Sequence, residues 1–469
     1  MITIVGLGTE KDGLTMKAWK ALKSADKVLL RTLFPCAESL KEDGIAFETL
    51  DYIYEKSRNY DTLANNLARE VVKKSEGKNV CYCIDGGVTE DRAAQILLKR
   101  KDVTVIHGVS KGEQAAARAK LSGAYTSVSA FELAGRKLTL PLVVYDLAER
   151  ELAGDVKLLL AEKFGDEQPA LYINGNEEKK IPLYEADRQK EYGPQTALVL
   201  FDTPLLEKKK FDFDDFVQIM RLLRAPDGCP WDKAQTHESI RINALEEAYE
   251  LVDAIDRKDS DRIQEEAGDV LMQSVFHSLI EEEKGAFTVT DVTTGLCQKL
   301  ITRHTHVFGT DKASGADSAL SVWEKNKMTE KGQHTYSDAV NDVPEVFPAL
   351  LRAQKIVKRM AKGGWDYQSP ETEKKKFAEE AEELAAAVKS GDKAQIAAEF
   401  GDVLMVLTHA AYRLKIDSEQ ALLDTVKKNT ARYNEWEKLV LADGKDVHNL
   451  TDEEWAAYYK KAKENVSKA

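Results

Sequence analysis

Two sets of four carboxylates carry the strongest chemical signal in the sequence. The first is Glu247, Glu250, Glu266 and Asp269, and the second lies 133 residues later at Glu380, Glu383, Glu399 and Asp402. Each set consists of a Glu-x-x-Glu pair followed by a Glu-x-x-Asp pair. Residues three apart share one face of a helix, so the sequence predicts two acidic spots on two helices in each set.

The spacing of the pairs predicts that they face each other. In the first set, residues 247 and 269 and residues 250 and 266 have the same midpoint, residue 258, within a polar stretch rich in N-cap residues. In the second set both midpoints fall on Gly391. Residues equidistant from the turn of an antiparallel helix hairpin face each other. The four carboxylates of each set are therefore expected to converge.

Converging carboxylates repel one another unless a cation lies among them. Oxygen ligands without sulfur or imidazole favour Mg²⁺ or Mn²⁺, so the sequence predicts a divalent metal site in each set. The competing interpretation is a solvated acidic helix face, which is the better one for any single Glu-x-x-Glu. The repetition of the set, each time beside apolar residues such as Val270 and Val403, favours the metal.

Basic and aromatic residues follow each acidic set at helical spacing. Lys299 and Arg303 are four residues apart, as are Trp323 and Lys327, and the second set is followed by Lys428 and Arg432. Each basic pair by itself is more simply an exposed helix face. Together with metal carboxylates on facing helices, however, these cations suit a polyphosphate substrate whose developing charge they stabilise.

The elements that must position these residues divide the chain in two. Residues 1–205 alternate apolar runs and helical stretches, which predicts an α/β domain with a largely parallel sheet. From residue 211 onward apolar residues recur at helical spacing, which predicts an all-α half. The residues from Gly268 to Met272 recur at 401–405. We therefore expect two helical modules from one duplication, over residues 211–343 and 344–469.

Composition excludes several classes of protein. The 469 residues carry a net charge of −13, which does not favour binding to nucleic acid or to an anionic membrane. No uncharged run approaches the roughly 20 residues of a membrane helix. The N-terminus lacks the basic stretch of a signal peptide, and the five cysteines form no disulfide framework. The sequence predicts a cytoplasmic protein.

Several motifs of the second half together resemble the MazG family of nucleoside triphosphate pyrophosphohydrolases. They are Gly228-Cys229-Pro230-Trp231-Asp232 with Gln235-Thr236-His237, Glu246-Glu247-Ala248-Tyr249-Glu250, Glu266-Ala267-Gly268-Asp269 and Arg303-His304-Thr305-His306-Val307-Phe308. The resemblance extends from about residue 211 to the C-terminus. It implies an all-α enzyme that assembles as a homodimer and hydrolyses nucleoside triphosphates to the monophosphate and pyrophosphate, which cleans the nucleotide pool.

The resemblance also implies roles for individual residues. Both carboxylate sets become metal ligands, and the first set is assigned as the catalytic one. The substrate-side positions are Lys299, Arg303, Trp323, Lys327, Lys428 and Arg432. One departure concerns the second module, where Tyr459 and not lysine stands four residues after Trp455. We therefore expect the first module to dominate the activity.

The first half resembles the tetrapyrrole methylases in the strand and turn at Ile2–Gly8 and in the segment Val103–Ser110. A methylase-like domain ahead of a MazG region is similar to the YabN type of bacterial fusion protein. The resemblance implies S-adenosylmethionine near the strand ends, with Gly6 and Gly8 as candidate cofactor-binding residues. The loops at 9–13 and 85–88 depart from the family, so we expect weak or absent methyl transfer.

Three functions remain open from the sequence. The leading hypothesis is magnesium-dependent hydrolysis of nucleoside triphosphates. The alternative is an S-adenosylmethionine-dependent methyltransferase of the tetrapyrrole type, in which the helical half serves dimerisation or nucleotide sensing. The third is a protein that binds ligands in both halves without turnover. The repeated carboxylate sets favour the first.

Overall fold

A computed structural model describes residues 1–468 of the chain. The chain forms two compact units, Met1–Glu283 and Lys284–Ala469. The first unit contains two β-sheets with their helices and the first four helices of the all-α half, and the second unit is helical. The limits of the three domains inferred from the sequence stay a prediction.

The first sheet has five strands, all parallel, in the order β3-β2-β4-β1-β5. Every residue of the central strand β4 is buried, as expected when helices cover both faces of a parallel sheet. The strands are β1 (Ile2–Gly6), β2 (Lys27–Leu30), β3 (Glu48–Thr49), β4 (Val80–Ile84) and β5 (Val103–Ile106), and the helices are α1 (Met16–Ser24), α2 (Ala37–Glu42), α3 (Tyr60–Lys74), α4 (Arg92–Leu97) and α5 (Lys111–Arg118).

The second sheet corrects the expectation of one largely parallel sheet. Its order is β6-β7-β10-β8-β9, and only β6 and β7 are parallel. The reason is local, because two residues connect β8 to β9, whereas a parallel crossover needs a dozen or more. The elements are β6 (Thr126–Ser129), β7 (Leu142–Tyr145), α6 (Arg150–Phe164), β8 (Pro169–Asn174), β9 (Glu177–Pro182) and β10 (Ala197–Leu200).

The described part of the chain after β10 contains helices and no strand, which confirms the α/β and all-α fold classes. In the first unit these are α7 (Phe213–Arg224), α8 (Pro230–Ala234), α9 (His237–Arg257) and α10 (Ser260–Glu283). In the second unit they are α11 (Val289–Arg303), α12 (Thr305–Phe308), α13 (Ala316–Glu330), α14 (Tyr336–Asn341), α15 (Ala349–Lys362), α16 (Pro370–Ser390), α17 (Lys393–Leu414), α18 (Ser418–Ala442) and α19 (Asp452–Lys468). None of the helices described has the length and apolar character that crossing a membrane requires.

Candidate functional site

Two helix hairpins carry the carboxylate sets. Helix α9 ends at a left-handed residue, Lys258, with φ 56°, and α10 begins two residues later. Helix α16 ends in the same way at Gly391, with φ 77°, and Asp392 caps α17 through its side chain. A left-handed residue is a common way to end a helix. The turns therefore fall at the two midpoints that the spacing predicts.

Three of the four carboxylates converge in the first hairpin. Oxygens of Glu247, Glu266 and Asp269 lie within 4.8 Å of one another. Glu250 is exposed and is outside this group. Glu266 is buried and pairs with Arg262 at 3.2 Å on the same helix. Burial, with the charges of Asp269, Glu250 and Glu266, raises the pKa of Glu247.

The second hairpin brings together a different trio. Oxygens of Glu380, Glu383 and Glu399 lie within 4.8 Å of one another, and Asp402 is exposed and outside the group. Glu380 is buried and pairs with Lys376 at 2.7 Å. Desolvation, with the charges of Glu380 and Glu399, raises the pKa of Glu383.

The donor sets fit a hard divalent cation. Each group offers carboxylate oxygens alone, which is the ligand chemistry of Mg²⁺ and Mn²⁺. Each group also includes one buried glutamate, and burial, together with repulsion from the neighbouring carboxylates, raises the pKa of one carboxyl in each group. A cation placed among these oxygens would remove that repulsion.

The substrate-side residues of the first module meet around an indole ring. The guanidinium of Arg303 lies 5.4 Å from the centre of the Trp323 ring, and Lys327 Nζ lies 5.1 Å from it. Arg303 also donates two hydrogen bonds to Glu330, at 2.7 and 3.0 Å. Burial and the neighbouring cations lower the pKa of Lys327. Lys299 is exposed one turn before Arg303 on α11.

The equivalent residues of the second module are arranged differently. Lys428 is exposed on α18. One turn later, Arg432 has a buried Nε without a hydrogen-bond partner among the residues described. The Tyr459 ring stacks on Trp455 with 5.1 Å between the ring centres. A ring therefore occupies the place over the indole that an ammonium group has in the first module.

Gly6 and Gly8, the candidate cofactor-binding residues, lie close to other backbone of the same domain, and their role in binding stays a prediction. A side chain at Gly6 would come within 2.6 Å of both Gly108 N and Gly86 O, so this glycine is required by the packing of the chain on itself. Gly8 has φ 76° and bridges to Gly86. Both glycines are thus explained by the close approach of backbone to backbone.

Backbone donors nearby are also satisfied from within the chain. The Glu90 carboxylate accepts hydrogen bonds from the backbone N–H groups of Gly87 at 2.7 Å, Lys111 at 2.8 Å and Gly112 at 3.0 Å. An anionic group of a ligand would have to displace this carboxylate. These three donors are therefore already engaged and do not form a ready cradle for a cofactor.

Sequence reasoning missed a buried charge cluster in the first domain. Lys111 Nζ lies 2.6 Å from Asp146 and 3.2 Å from Asp85, at a cavity of about 570 Å³. Burial by itself would lower the pKa of Lys111, but Asp146 and Asp85 raise it above its ordinary value. Only the unusual loop at Asp85 gave a signal in the sequence, because Lys111 and Asp146 come from distant elements.

A second missed cluster lies in the second unit. His409 is buried between two carboxylates, with Glu373 at 2.7 Å and Asp366 at 3.1 Å. The Tyr367 ring meets it edge-on at 4.4 Å. His409 precedes no recognisable motif, and its partners lie on segments far away in sequence. It links α17 to the start of α16 and so holds the hairpin that carries the second acidic group.

Comparison with known proteins agrees with an α/β first half followed by an all-α half. A profile of the MazG nucleotide pyrophosphohydrolase domain matches residues 235–308 and 368–436, and one of the tetrapyrrole (corrin/porphyrin) methylases matches residues 1–175. MazG of Thermotoga maritima, a nucleoside triphosphate pyrophosphohydrolase/pyrophosphatase, is 39% identical over 54% of this chain and 95% of its own length. The chain belongs to the MazG family.

The relatives of this MazG-family member also include a protein with the same two-part organisation. YabN of Bacillus subtilis is 32% identical over 99% of this chain and 98% of its own length. Among solved structures, a uroporphyrin-III C-methyltransferase from Thermus thermophilus covers 43% of the chain with 20% identity and a TM-score of 0.34. The two matched profiles place a MazG region after a methylase-type domain in this chain.

Proposed function

We propose that the chain hydrolyses nucleoside triphosphates to the nucleoside monophosphate and pyrophosphate, with Mg²⁺ or Mn²⁺ bound to its carboxylate groups. One observation carries the proposal: each of two hairpins brings three carboxylates within 4.8 Å of one another. Relatives named nucleoside triphosphate pyrophosphohydrolases, in Thermotoga maritima and Escherichia coli, support the same reaction.

The residues divide the work by their chemistry. In the first module Glu247, Glu266 and Asp269 would hold the metal, and the exposed Glu250 remains available beside them as a proton acceptor. Bound metal lowers the pKa of water and neutralises phosphate charge. A water molecule attacks the α-phosphorus, its proton passes to a carboxylate, and the bond between the α-phosphorus and the bridging oxygen breaks as pyrophosphate leaves.

Cations and the indole would position the substrate. Lys299, Arg303 and Lys327 suit the phosphate chain, and the Trp323 face suits a base. Lys428 and Arg432 would serve the second module in the same way. We propose that these residues bind substrate, since they lie on the helices that follow each hairpin.

A second copy of the chain is the proposed partner. Helix α9 exposes a stripe of apolar residues at helical spacing, Ile242, Leu245, Tyr249, Val252 and Ile255, each between 45% and 57% exposed. A continuous apolar stripe of this kind marks an interaction surface. We propose that the protein is a cytoplasmic homodimer joined through this stripe.

The decisive experiment separates the two ways of cleaving a triphosphate. Purified protein with several nucleoside triphosphates and Mg²⁺ should release pyrophosphate and monophosphate, and EDTA should abolish the reaction. Glu266→Gln should lose metal-dependent activity, whereas Glu265→Gln, one residue away and exposed, should retain it. Orthophosphate as the first product, or no turnover of any triphosphate, contradicts the proposal.

The alternative function, methyl transfer to a tetrapyrrole, has less support in the residues. The matched profile gives the fold family of the first domain, but the packing of Gly6 and Gly8 is explained without a ligand, and Glu90 occupies the nearby backbone donors. Incubation with labelled S-adenosylmethionine and tetrapyrroles should therefore give no methylated product.

A further inference from the structure

A cavity of about 280 Å³ in the second unit has a strongly cationic lining. Helix α15 contributes Lys355, Lys358, Arg359 and Lys362 to it, and α13 contributes Lys327. Glu324 is the one carboxylate among the lining residues described. The surplus of positive charge repels itself, which costs free energy unless an anion enters.

Three of these cations have no acidic partner. Lys362 is paired with Glu324, and Arg359 lies 3.8 Å from Asp342. By contrast, Lys327, Lys355 and Lys358 form no ion pair with any of the residues that the structure describes. Lys355, Lys358 and Lys362 follow one another at spacings of three and four, so one face of α15 presents them together.

The corresponding helix of the first module shows what such residues do when their role is structural. When the two modules are aligned in sequence on Trp231 and Trp365, Arg221 and Arg224 of α7 are equivalent to Lys355 and Lys358 of α15. Both arginines are neutralised on α10, with Glu282 at 3.0 Å and Glu283 at 2.6 Å. At the offset of 133 residues between the hairpins, the residues equivalent to Glu282 and Glu283 are Lys415 and Ile416, just after α17. Neither has a carboxylate that could neutralise a lysine of α15. Lys355 and Lys358 are therefore left without the carboxylate partners that the equivalent arginines have.

The walls of the cavity add aromatic surface to the charge. Trp323 and Tyr336 line it beside the cations. Pockets for small ligands have volumes of roughly 300–1,000 Å³, and this cavity, at about 280 Å³, lies just below that range. It therefore suits a compact, highly charged group.

We propose that this cavity binds a chain of two or more phosphate groups, and that Lys355 and Lys358 are its principal cations. The phosphate chain could belong to inorganic polyphosphate or to a nucleotide, since both present the same oxygens. Because Trp323 and Lys327 line the cavity, the inference extends the substrate-binding set and rests in part on the proposed function.

The test is metal-free binding to the full-length protein. Titration calorimetry with tripolyphosphate in EDTA removes any contribution from metal held by the carboxylates. Lys355→Gln combined with Lys358→Gln should weaken binding about tenfold or more, because a hydrogen bond to a charged group contributes roughly 1.5–3 kcal/mol. The matched control combines Lys312→Gln with Lys325→Gln, which removes the same charge from exposed positions outside the cavity.

Several outcomes would overturn the pocket. These are equal losses in the two double variants, unchanged binding in the α15 variant with its circular dichroism intact, or orthophosphate binding as tightly as tripolyphosphate. Comparison of ATP with tripolyphosphate identifies the source of the bound phosphate groups. Tighter binding of ATP that is lost in Trp323→Leu supports a nucleotide, whereas equal binding supports inorganic polyphosphate. Pyrophosphate release without tripolyphosphate binding contradicts the pocket alone, and binding without release contradicts the proposed function alone.

Discussion

The two helical modules have the same hairpin and the same four carboxylate positions, yet different trios converge. In the first module the buried glutamate is Glu266, on the second helix, and in the other it is Glu380, on the first helix. Each is neutralised from one turn earlier, by Arg262 and by Lys376. Arg262 is equivalent to Gln395 in the second module, and Lys376 is equivalent to Asn243 in the first module. In each module the buried glutamate is thus the one that pairs with a cation one turn earlier on its own helix.

The substrate-side cations of the two modules also differ in their neighbours. Arg303 of the first module is held by Glu330, whereas an offset of 132 residues places Ala462 where an acid would be needed to hold Arg432. The first module, however, has Lys327 over its indole where the second has the Tyr459 ring. One difference leaves the second module a freer arginine, and the other gives the first module an extra ammonium group for phosphate.

Apolar exposure also separates the modules. The stripe on α9 has its equivalents on α16 at Lys375, Ala378, Glu382, Ala385 and Val388. Only the last of these is a large apolar residue. The stripe proposed to join two copies of the chain is thus present on α9 and not at the equivalent positions of α16.

The largest expected effect comes from disabling one acidic group at a time. Glu247→Gln and Glu380→Gln change equivalent positions. We expect Glu247→Gln to lose nearly all pyrophosphate release and Glu380→Gln to keep most of it, because a missing cation on phosphate costs the second module about 2–4 kcal/mol of transition-state stabilisation. Both proteins need a normal circular dichroism spectrum. The reverse result assigns catalysis to the second module, and equal losses make the two sites equivalent.

Disrupting the apolar stripe should have the next largest effect. Leu245→Lys combined with Val252→Lys places two charges in the proposed interface and should convert the dimer to a monomer with much lower activity. Light scattering after gel filtration gives the mass. Leu206→Lys is the matched control, since Leu206 is 97% exposed and outside the stripe. A wild-type monomer, or a dimer that survives the double change, contradicts the proposed surface.

Removing the methylase-type domain should change little in the relative contribution of the two modules to pyrophosphate release. A protein starting at Lys208 should keep pyrophosphate release, and Glu247→Gln should remain the more damaging variant within it. The reason is that every proposed ligand lies after residue 246. Loss of activity in a truncated protein that is still folded would show that the first domain contributes to the reaction.

The smallest expected effect concerns the stability of the metal-free protein. The pKa values of Glu247 and Glu383 are raised by burial and by neighbouring carboxylates. The folded state therefore binds more protons than the unfolded state just above the ordinary range of glutamate, and stability rises as pH falls through that range. We expect a gain in Tm on mild acidification in EDTA.

Single glutamine variants assign that gain to a module. Glu247→Gln should remove the part that belongs to the first group, and Glu383→Gln the part that belongs to the second. Saturating Mg²⁺ should reverse the trend, since metal ligands must be ionised to bind. A Tm difference between variant and wild type that does not change with pH contradicts the predicted repulsion.

The sequence by itself determined the hairpins and the spacing of their carboxylates. The turns at Lys258 and Gly391 follow from midpoints that the spacing alone supplies, because helix periodicity is local. The parallel first sheet was predicted for the same reason, from buried apolar runs separated by helices. The sequence failed where an exposed strand such as β9 lacks an apolar pattern, and its antiparallel pairing followed from a two-residue connection.

Only the tertiary structure decided which side chains meet. Glu250 and Asp402 have the same spacing as their neighbours but stay outside the convergent groups, because convergence depends on side-chain direction and on nearby cations. The Arg303–Glu330 pair and the Lys111 cluster join residues whose separation in sequence carries no periodic signal, and the sequence does not show that Lys355 and Lys358 lack acidic partners. Charge compensation is a property of distance in space, and the sequence records distance only along the chain.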